Sequence, residues 1–378
     1  MELVYATDVD ATNIHNWSGL AWYYRKMLDQ AGCDVTMIDS SDMPYPFPLK
    51  IKKHVINKLG RQLYSPRFNI NVSKHYAAHI HEKVAPGSLI LSPNTVVLAY
   101  LKKNLKKVLY SDATFDSLLK LYPQYSRYTT QCLLEGQAID QQAILNSDLL
   151  LYTSQWAADS AIQHYGADPA KIHLVPFGAN LDNLPSYKEV KETISTRLQN
   201  EQINLLFLGI DWKRKGGEHA LAVMNELNKL GFPATLHVVG VKDLRILENH
   251  PHVVNHHFIS KATREGQQRL GKLLAASHFL LLPTLADCTP VACSEANAFG
   301  VPCLTSDVGG LKSVIKNEVN GHTFTHDHFV KNTVSYIISI MESKAAYEEL
   351  CYSSYNTYAT ELNWKSIGHK IVQILKNM

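Results

Sequence analysis

At 378 residues, with 46% hydrophobic and 19% charged residues, the chain has the composition of a soluble globular protein long enough for two domains. Its six cysteines (Cys33, Cys132, Cys288, Cys293, Cys303, Cys351) form no CxxC pair and no Cys/His metal spacing, which excludes a disulfide framework and predicts reduced thiols in a cytoplasmic protein. No apolar run approaches the ~20 residues that span a bilayer, and "MELVYATDVDATN" reads as a strand followed by polar residues rather than a signal peptide.

The formal net charge is only +3, but it is unevenly placed. Between Pro48 and Lys107 twelve Lys/Arg face Glu82 alone, a net +11 that leaves −8 for the rest of the chain. Such asymmetry predicts either an anionic partner for residues 48–107 or a solvated basic surface.

In chain order, "ELVYAT" (2–7) is a first strand and "SGLAWYYRKMLDQAG" a helix, with Leu20, Tyr24, Met27 and Leu28 at helical spacing. "LKIKKHVINKLGRQLY" mixes Ile51, Val55, Leu59 and Leu63 with Lys and Arg, the pattern of an interfacial helix. "DVTMID", "SLILSP", "KVLYSD" and "DLLLYTS" supply further strands, and "ADSAIQHYGADPAKIHLVPFGAN" gives helix, turn and strand. At Asn204 the chain starts over. "NLLFLG" is a strand, "EHALAVMNELNKLG" an amphipathic helix, and "ATLHVVG", "VVNHHFI", "HFLLLPT" and "PCLTSD" continue a second sheet. "NWKSIGHKIVQILKNM" closes the chain as one helix with Ile367, Ile371 and Ile374 on a stripe. Strands alternating with helices predict α/β architecture with parallel sheets, here two Rossmann-like domains facing one another with a seam near 180–203.

The segment "LLPTLADCTPVACSEANAFGVPCLTSDVGG" (281–310) carries the most chemistry. Thr289 fits an N-cap, Pro290 the first helical position and Gly300 the stop, predicting a helix of about ten residues at the carboxyl end of "HFLLLPT". Ligands of open α/β sheets bind at that end, and a helix start there suits phosphate or sugar oxygens. Asp287 lies before the cap and Glu295 in the second turn. They are either a sugar-binding pair or a solvated loop acid and a surface helix acid.

This stretch resembles the acid-x7-acid signature of the retaining glycosyltransferases of the GT-B fold, glycosyltransferase family 4. "SDVGGLKSVIKNEVNGHTF" and "ADPAKIHLVPFGANLD" resemble the segments that follow and precede it, so the likeness covers most of 146–325 and is weaker at the N-terminus. The resemblance implies residues 1–182 as an acceptor domain, 183–361 as a nucleotide-sugar donor domain, and the helix 362–378 returning to the first. It implies that Glu295 binds the donor ribose. Asp287 and the segment Cys288, Thr289, Pro290 and Val291 would hold the transferred sugar. Asp stands where the family has Glu, shorter by one methylene, about 1.5 Å of bond length.

In "FLGIDWKRKGG" (207–217), Gly209 ends the strand and Ile210 occupies the position of a family Arg. Lys215 matches the family Lys, with Arg214, and after it Lys213, as substitute cations for a leaving diphosphate. A plain exposed basic turn is the alternative. Gly19 in "TNIHNWSGL" matches the family's Gly-rich loop. Gly240 and Ser260 fall where the family builds its nucleobase pocket. Asp112 and Thr114 in "YSDATF" stand where the family has an acceptor-side His, and His15 and Trp17 are further lining candidates. Asp8-Val9-Asp10 imitates a metal-binding DxD, but at the end of a first Rossmann strand it reads as coincidence. No cofactor and no essential metal are expected.

The implied activity is transfer of a sugar, with retention, from a nucleotide diphosphate sugar to a glycan or lipid-linked hydroxyl acceptor, in cell-surface polysaccharide or glycolipid synthesis. No nucleic-acid partner is expected. The basic segment would sit at an anionic membrane surface, peripheral at its inner face. Rival readings are a nucleotide-sugar epimerase or glycan phosphorylase of the same fold, and a catalytically silent nucleotide-sugar-binding protein.

Overall fold

A computed structural model describes residues 1–241 and 250–378. They divide into two compact units, Met1–Val175 with Gly368–Met378, and Pro176–Ile367.

The first unit is built on a six-stranded, fully parallel sheet: β1 (Glu2–Thr7), β2 (Asp34–Asp39), β3 (Leu89–Ser92), β4 (Lys106–Ser111), β5 (Leu149–Tyr152) and β6 (Ile172–Leu174), in the order β2-β1-β3-β4-β5-β6. Its central strands carry apolar runs because helices cover both faces of a parallel sheet. Val108, Leu109 and Tyr110 are buried, as are Leu150, Leu151 and Tyr152. Tyr110 stacks on Tyr24 of helix Leu20–Gln30, ring centroids 4.7 Å apart.

The second unit repeats the plan with β7 (Ile203–Leu208), β8 (Ala234–Val239), β9 (Val253–Asn255), β10 (Phe279–Leu282), β11 (Cys303–Ser306) and β12 (Gly321–Phe324), again all parallel, in the order β12-β11-β10-β7-β8-β9. Phe207, Phe279, Leu281 and Leu304 fill one side of this sheet against Ala220, Met224 and Leu227 of helix Gly217–Lys229. The segment 180–203, expected as a seam, lies inside this unit and contains helix Tyr187–Gln199. Helix Trp364–Lys376 ends the chain, and from Gly368 onward it belongs to the first unit. There Ile371 is buried and Lys370 donates to the Leu174 carbonyl at 2.8 Å. The buried ridge is Ile367, Ile371 and Leu375, with Ile374 half-buried, because a step of four keeps side chains on one face.

The twelve cations between Pro48 and Lys107 do not form one solvated face. Arg67 is spent on Asp8, its Nε 2.8 Å from Oδ2 and its Nη2 donating to Oδ1 at 3.1 Å. Lys107 is buried, its ammonium donating to the Leu105 carbonyl at 2.6 Å and lying 3.7 Å from Asp148. Among the described residues no helix is long and apolar enough to cross a membrane.

Candidate functional site

In the second sheet β7 and β10 lie side by side although β8 and β9 separate them in sequence, so the crossovers leave in opposite directions. Such a switch point opens a crevice at the carboxyl ends of the two strands. Lys215 follows β7 and Asp287 follows β10, and the two side chains meet there as an ion pair between Nζ and Oδ2.

Backbone contacts build that meeting. The turn after β7 runs back over the turn after β10: Leu285 N donates to the Arg214 carbonyl at 2.8 Å, and Thr284 Oγ1 to the same carbonyl at 3.1 Å. Gly216, at φ 75°, is pressed so closely on Pro283 that any Cβ would overlap its carbonyl. It also caps helix Gly217–Lys229 in a left-handed conformation that a residue with Cβ resists. Trp212 is buried over Gly217 and anchored by Nε1 to Glu218 Oε1 at 2.8 Å. Arg214 Nη1 donates to the Ala286 carbonyl at 2.7 Å and lies 3.9 Å from Asp287 Oδ2. Two cations thus converge on one carboxylate. Lys213 is exposed on the outside of the turn, and Ile210 is 73% exposed.

The helix after Asp287 runs Val291–Asn297 and is shorter than expected. Pro290, at φ −69° and ψ 122°, is extended and is itself the N-cap, one position beyond the expected Thr289. Cys288, Thr289, Pro290 and Val291 are all buried, and the Cys288 carbonyl accepts from Gly310 N at 2.8 Å. The Gly309-Gly310 turn therefore holds the acid loop from its far side.

Glu295 is no surface residue. It is 2% exposed, with Oε1 2.6 Å from Lys261 Nζ. Burial pushes its carboxyl up from the ordinary range, against the pull of the Lys261 ammonium and a hydrogen bond from the Asn180 backbone. Lys261 is positioned by Gln267, whose Nε2 donates to the Lys261 carbonyl at 2.8 Å and to Asp182 Oδ2 at 3.1 Å. Sequence reasoning missed Lys261, Gln267 and Asn180. A lysine inside "FISKA" was the available signal, but its partner lies 34 positions further on. Ser260 is half-buried beside it, with Oγ accepting from Ala262 N at 3.2 Å. Gly240 closes β8 tightly against the Gly209 carbonyl, 2.7 Å from where a Cβ would stand. The arrangement offers a cation-bound carboxylate at the switch point and a second, buried carboxylate on the same segment. Such groups can accept hydroxyl hydrogen bonds, while Lys215 and Arg214 can neutralise oxyanions.

In the first unit, Trp17, Ser18 and Gly19 take φ values of 47°, 56° and 87°, three successive left-handed residues where the sequence led to a glycine loop. His15 precedes them, and the Trp17 ring packs edge-on against Tyr24 at 5.9 Å. Thr114 is a structural cap rather than an open polar group. It is buried, its Oγ1 accepts from Ser117 N at 3.1 Å, and it shares a 2.6 Å bond with Ser160. Asp112 is half-buried nearby in sequence. Asp8 and Asp10 of the DxD-like triplet part ways: Asp8 binds Arg67, while Asp10 Oδ1 accepts from Thr12 N at 2.8 Å. Among the described residues no group of three or more His, Cys, Asp or Glu is placed to hold a metal ion.

Residues 190–357 match the family model of glycosyl transferases group 1. A D-inositol 3-phosphate glycosyltransferase of Xylanimonas cellulosilytica is 26% identical over 202 residues, 50% of this chain and 47% of the relative. The chain thus spans about half the length of the curated relatives it matches. Among solved structures, a sucrose-phosphate synthase from Thermosynechococcus elongatus superposes with a TM-score of 0.69 at 16% identity, covering 100% of this chain and 99% of that one. HepE of Anabaena in complex with UDP-glucose gives 0.63 at 14% identity, covering 100% of both. At these identities the likeness is one of fold, and the fold is that of the GT-B glycosyltransferases. The match to glycosyl transferases group 1 extends over 168 of the 378 residues, and the likeness to solved structures over the whole chain is one of fold.

Proposed function

We propose that the chain is a retaining, family 4-type hexosyltransferase that moves a sugar from a nucleotide diphosphate sugar to a hydroxyl of a glycan or lipid-linked acceptor. The observation that carries this reading is the stitched pair of turns at the β7/β10 switch point, which delivers Lys215 and Arg214 to Asp287. The UDP-glucose bound by HepE makes that compound the first donor to try.

In the reaction proposed, the bond from the anomeric carbon to the diphosphate oxygen breaks while the bond to the acceptor oxygen forms on the same face. The acceptor proton passes to the departing diphosphate oxygen. Lys215 and Arg214 stabilise the charge that develops there, and their existing ion pairs with Asp287 hold them in place before the donor arrives. Asp287 accepts from a sugar hydroxyl, and Glu295 accepts from the ribose diol. Cys288, Thr289, Pro290 and Val291 form the wall behind the sugar. The first unit serves the acceptor.

The test is a thermal-shift screen against nucleoside diphosphates and their sugars, followed by transfer assays with the donor that raises stability. Lys215→Ala and Glu295→Ala lower turnover by about 100-fold or more with the fold retained. Wild-type rates in both variants overturn the site. Donor conversion with no acceptor present would identify an epimerase, and donor binding without transfer a silent binding protein.

A further inference from the structure

Helix Phe47–Lys58 has no buried residue. Its inner side is tethered: Asn57 Oδ1 accepts from Tyr64 N at 2.7 Å, and the Lys52 ammonium donates to Gln131 and lies 4.7 Å from the Tyr64 ring centroid. The opposite side carries Phe47, Ile51, Val55 and, one residue past the helix, Leu59, which are 73%, 48%, 50% and 73% exposed. Steps of four residues turn about 40° each, so the four side chains form one slowly winding apolar ridge. Exposed Lys50 and Lys58 flank it along the helix, and exposed Arg61 follows its end. From Met43 to His81 the chain contains no Asp or Glu at all.

A ridge of this kind on a water-exposed helix is costly unless it is covered. The surrounding charge says by what. A protein partner must bring acidic side chains to each cation, whereas an anionic bilayer presents negative charge and hydrocarbon at once, in the arrangement this helix mirrors. We infer that helix Phe47–Lys58 docks the protein on an anionic lipid surface, with Phe47, Ile51, Val55 and Leu59 entering the headgroup boundary and Lys50, Lys58 and Arg61 meeting lipid phosphates. The helix lies on the membrane and does not cross it. This rests on the first unit alone and stands whether or not the proposed transfer reaction does.

The test uses the full chain and sedimentation with vesicles of phosphatidylcholine containing phosphatidylglycerol, against vesicles of phosphatidylcholine alone. The wild type binds the anionic vesicles, and rising salt releases it. Lys50→Gln/Lys58→Gln/Arg61→Gln weakens partition by about 100-fold, roughly fivefold per cation removed. Phe47→Ser/Ile51→Ser abolishes binding, and both variants keep the wild-type circular dichroism spectrum and melting temperature because the altered side chains are exposed. The inference fails if the wild type does not sediment with anionic vesicles at low salt, or if either variant binds as the wild type does. It fails equally if the chain instead forms a concentration-dependent dimer that Phe47→Ser/Ile51→Ser abolishes.

Discussion

Replacing Lys261 by Met strands the Glu295 carboxylate in the interior of the second unit. Glu295 is 2% exposed and its oxygen lies 2.6 Å from the ammonium, so the direct attraction is ~6 kcal/mol at an effective dielectric of about 20. Part of that attraction only offsets the desolvation of both groups, and removing one partner of such a pair costs about 3–5 kcal/mol. The loss depends on pH. Burial already holds the Glu295 carboxyl above its ordinary value with Lys261 in place, and without the cation it rises further. An acid raised in the folded state loses stability as pH climbs from its unfolded value through its folded one. Lys261→Met is therefore near wild-type stability at about pH 5 and at its worst at about pH 8. Hydrogen exchange of the β7 and β10 amides reads the second unit by itself in a chain of two units. Glu295→Gln in the Lys261→Met background recovers most of the loss. A double-mutant coupling below about 0.5 kcal/mol, or a loss that does not vary with pH, refutes the reasoning.

Gly216→Ala destabilises the second unit by about 2 kcal/mol or more, since a Cβ combines a left-handed conformation with overlap on the Pro283 carbonyl; chemical denaturation checks it. His278 is buried and neutral, accepting from Asn204 N at 3.0 Å and donating to the Arg197 carbonyl at 3.1 Å, and burial pulls its imidazole down to about 4. A histidine lowered in the folded state contributes stability above its unfolded value that is lost as pH falls toward the folded one. His278→Asn is accordingly less stable at neutral pH, with a shallower decline between 6.5 and about 4 in pH-dependent melting. Arg197→Leu costs about 3 kcal/mol or more in urea unfolding, because it leaves the carbonyls of Ser277 and Gly300, 2.8 and 2.9 Å from the guanidinium, without their donor.

Strands were legible wherever parallel pairing demands burial on both faces. "FLLL" and "LLFL" are short apolar runs that suit a strand buried on both faces, and β7 and β10 lie where those runs stand. Helices Thr130–Asn146 and Lys344–Glu361 leave no such trace, because their buried faces include Gly136 and Asp140 in the first and Ser354 and Thr357 in the second, so the apolar residues alone form no clean stripe. The helix after Asp287 starts one residue later than its sequence predicts. Ser/Thr before Pro is a common start, yet here the proline itself stays extended. Thr114 is a polar group at a strand end, and capping helix Phe115–Leu121 uses its hydroxyl.

Local chemistry, then, was written in the chain: which residues are acids and cations, which runs must be covered, and that Asp287 and Glu295 sit eight positions apart at a strand end. Tertiary structure alone decided their company. The crossover order of the second sheet brings Lys215 to Asp287 across 72 positions, and the packing of helix Arg264–Ala276 brings Lys261 to Glu295 across 34. It also separated the cations of the basic segment, sending Arg67 and Lys107 to internal partners and leaving Lys50, Lys53 and Lys58 in water. An ionic contact depends on distances of a few ångströms, and only the strand order and the backbone bonds between loops set those distances.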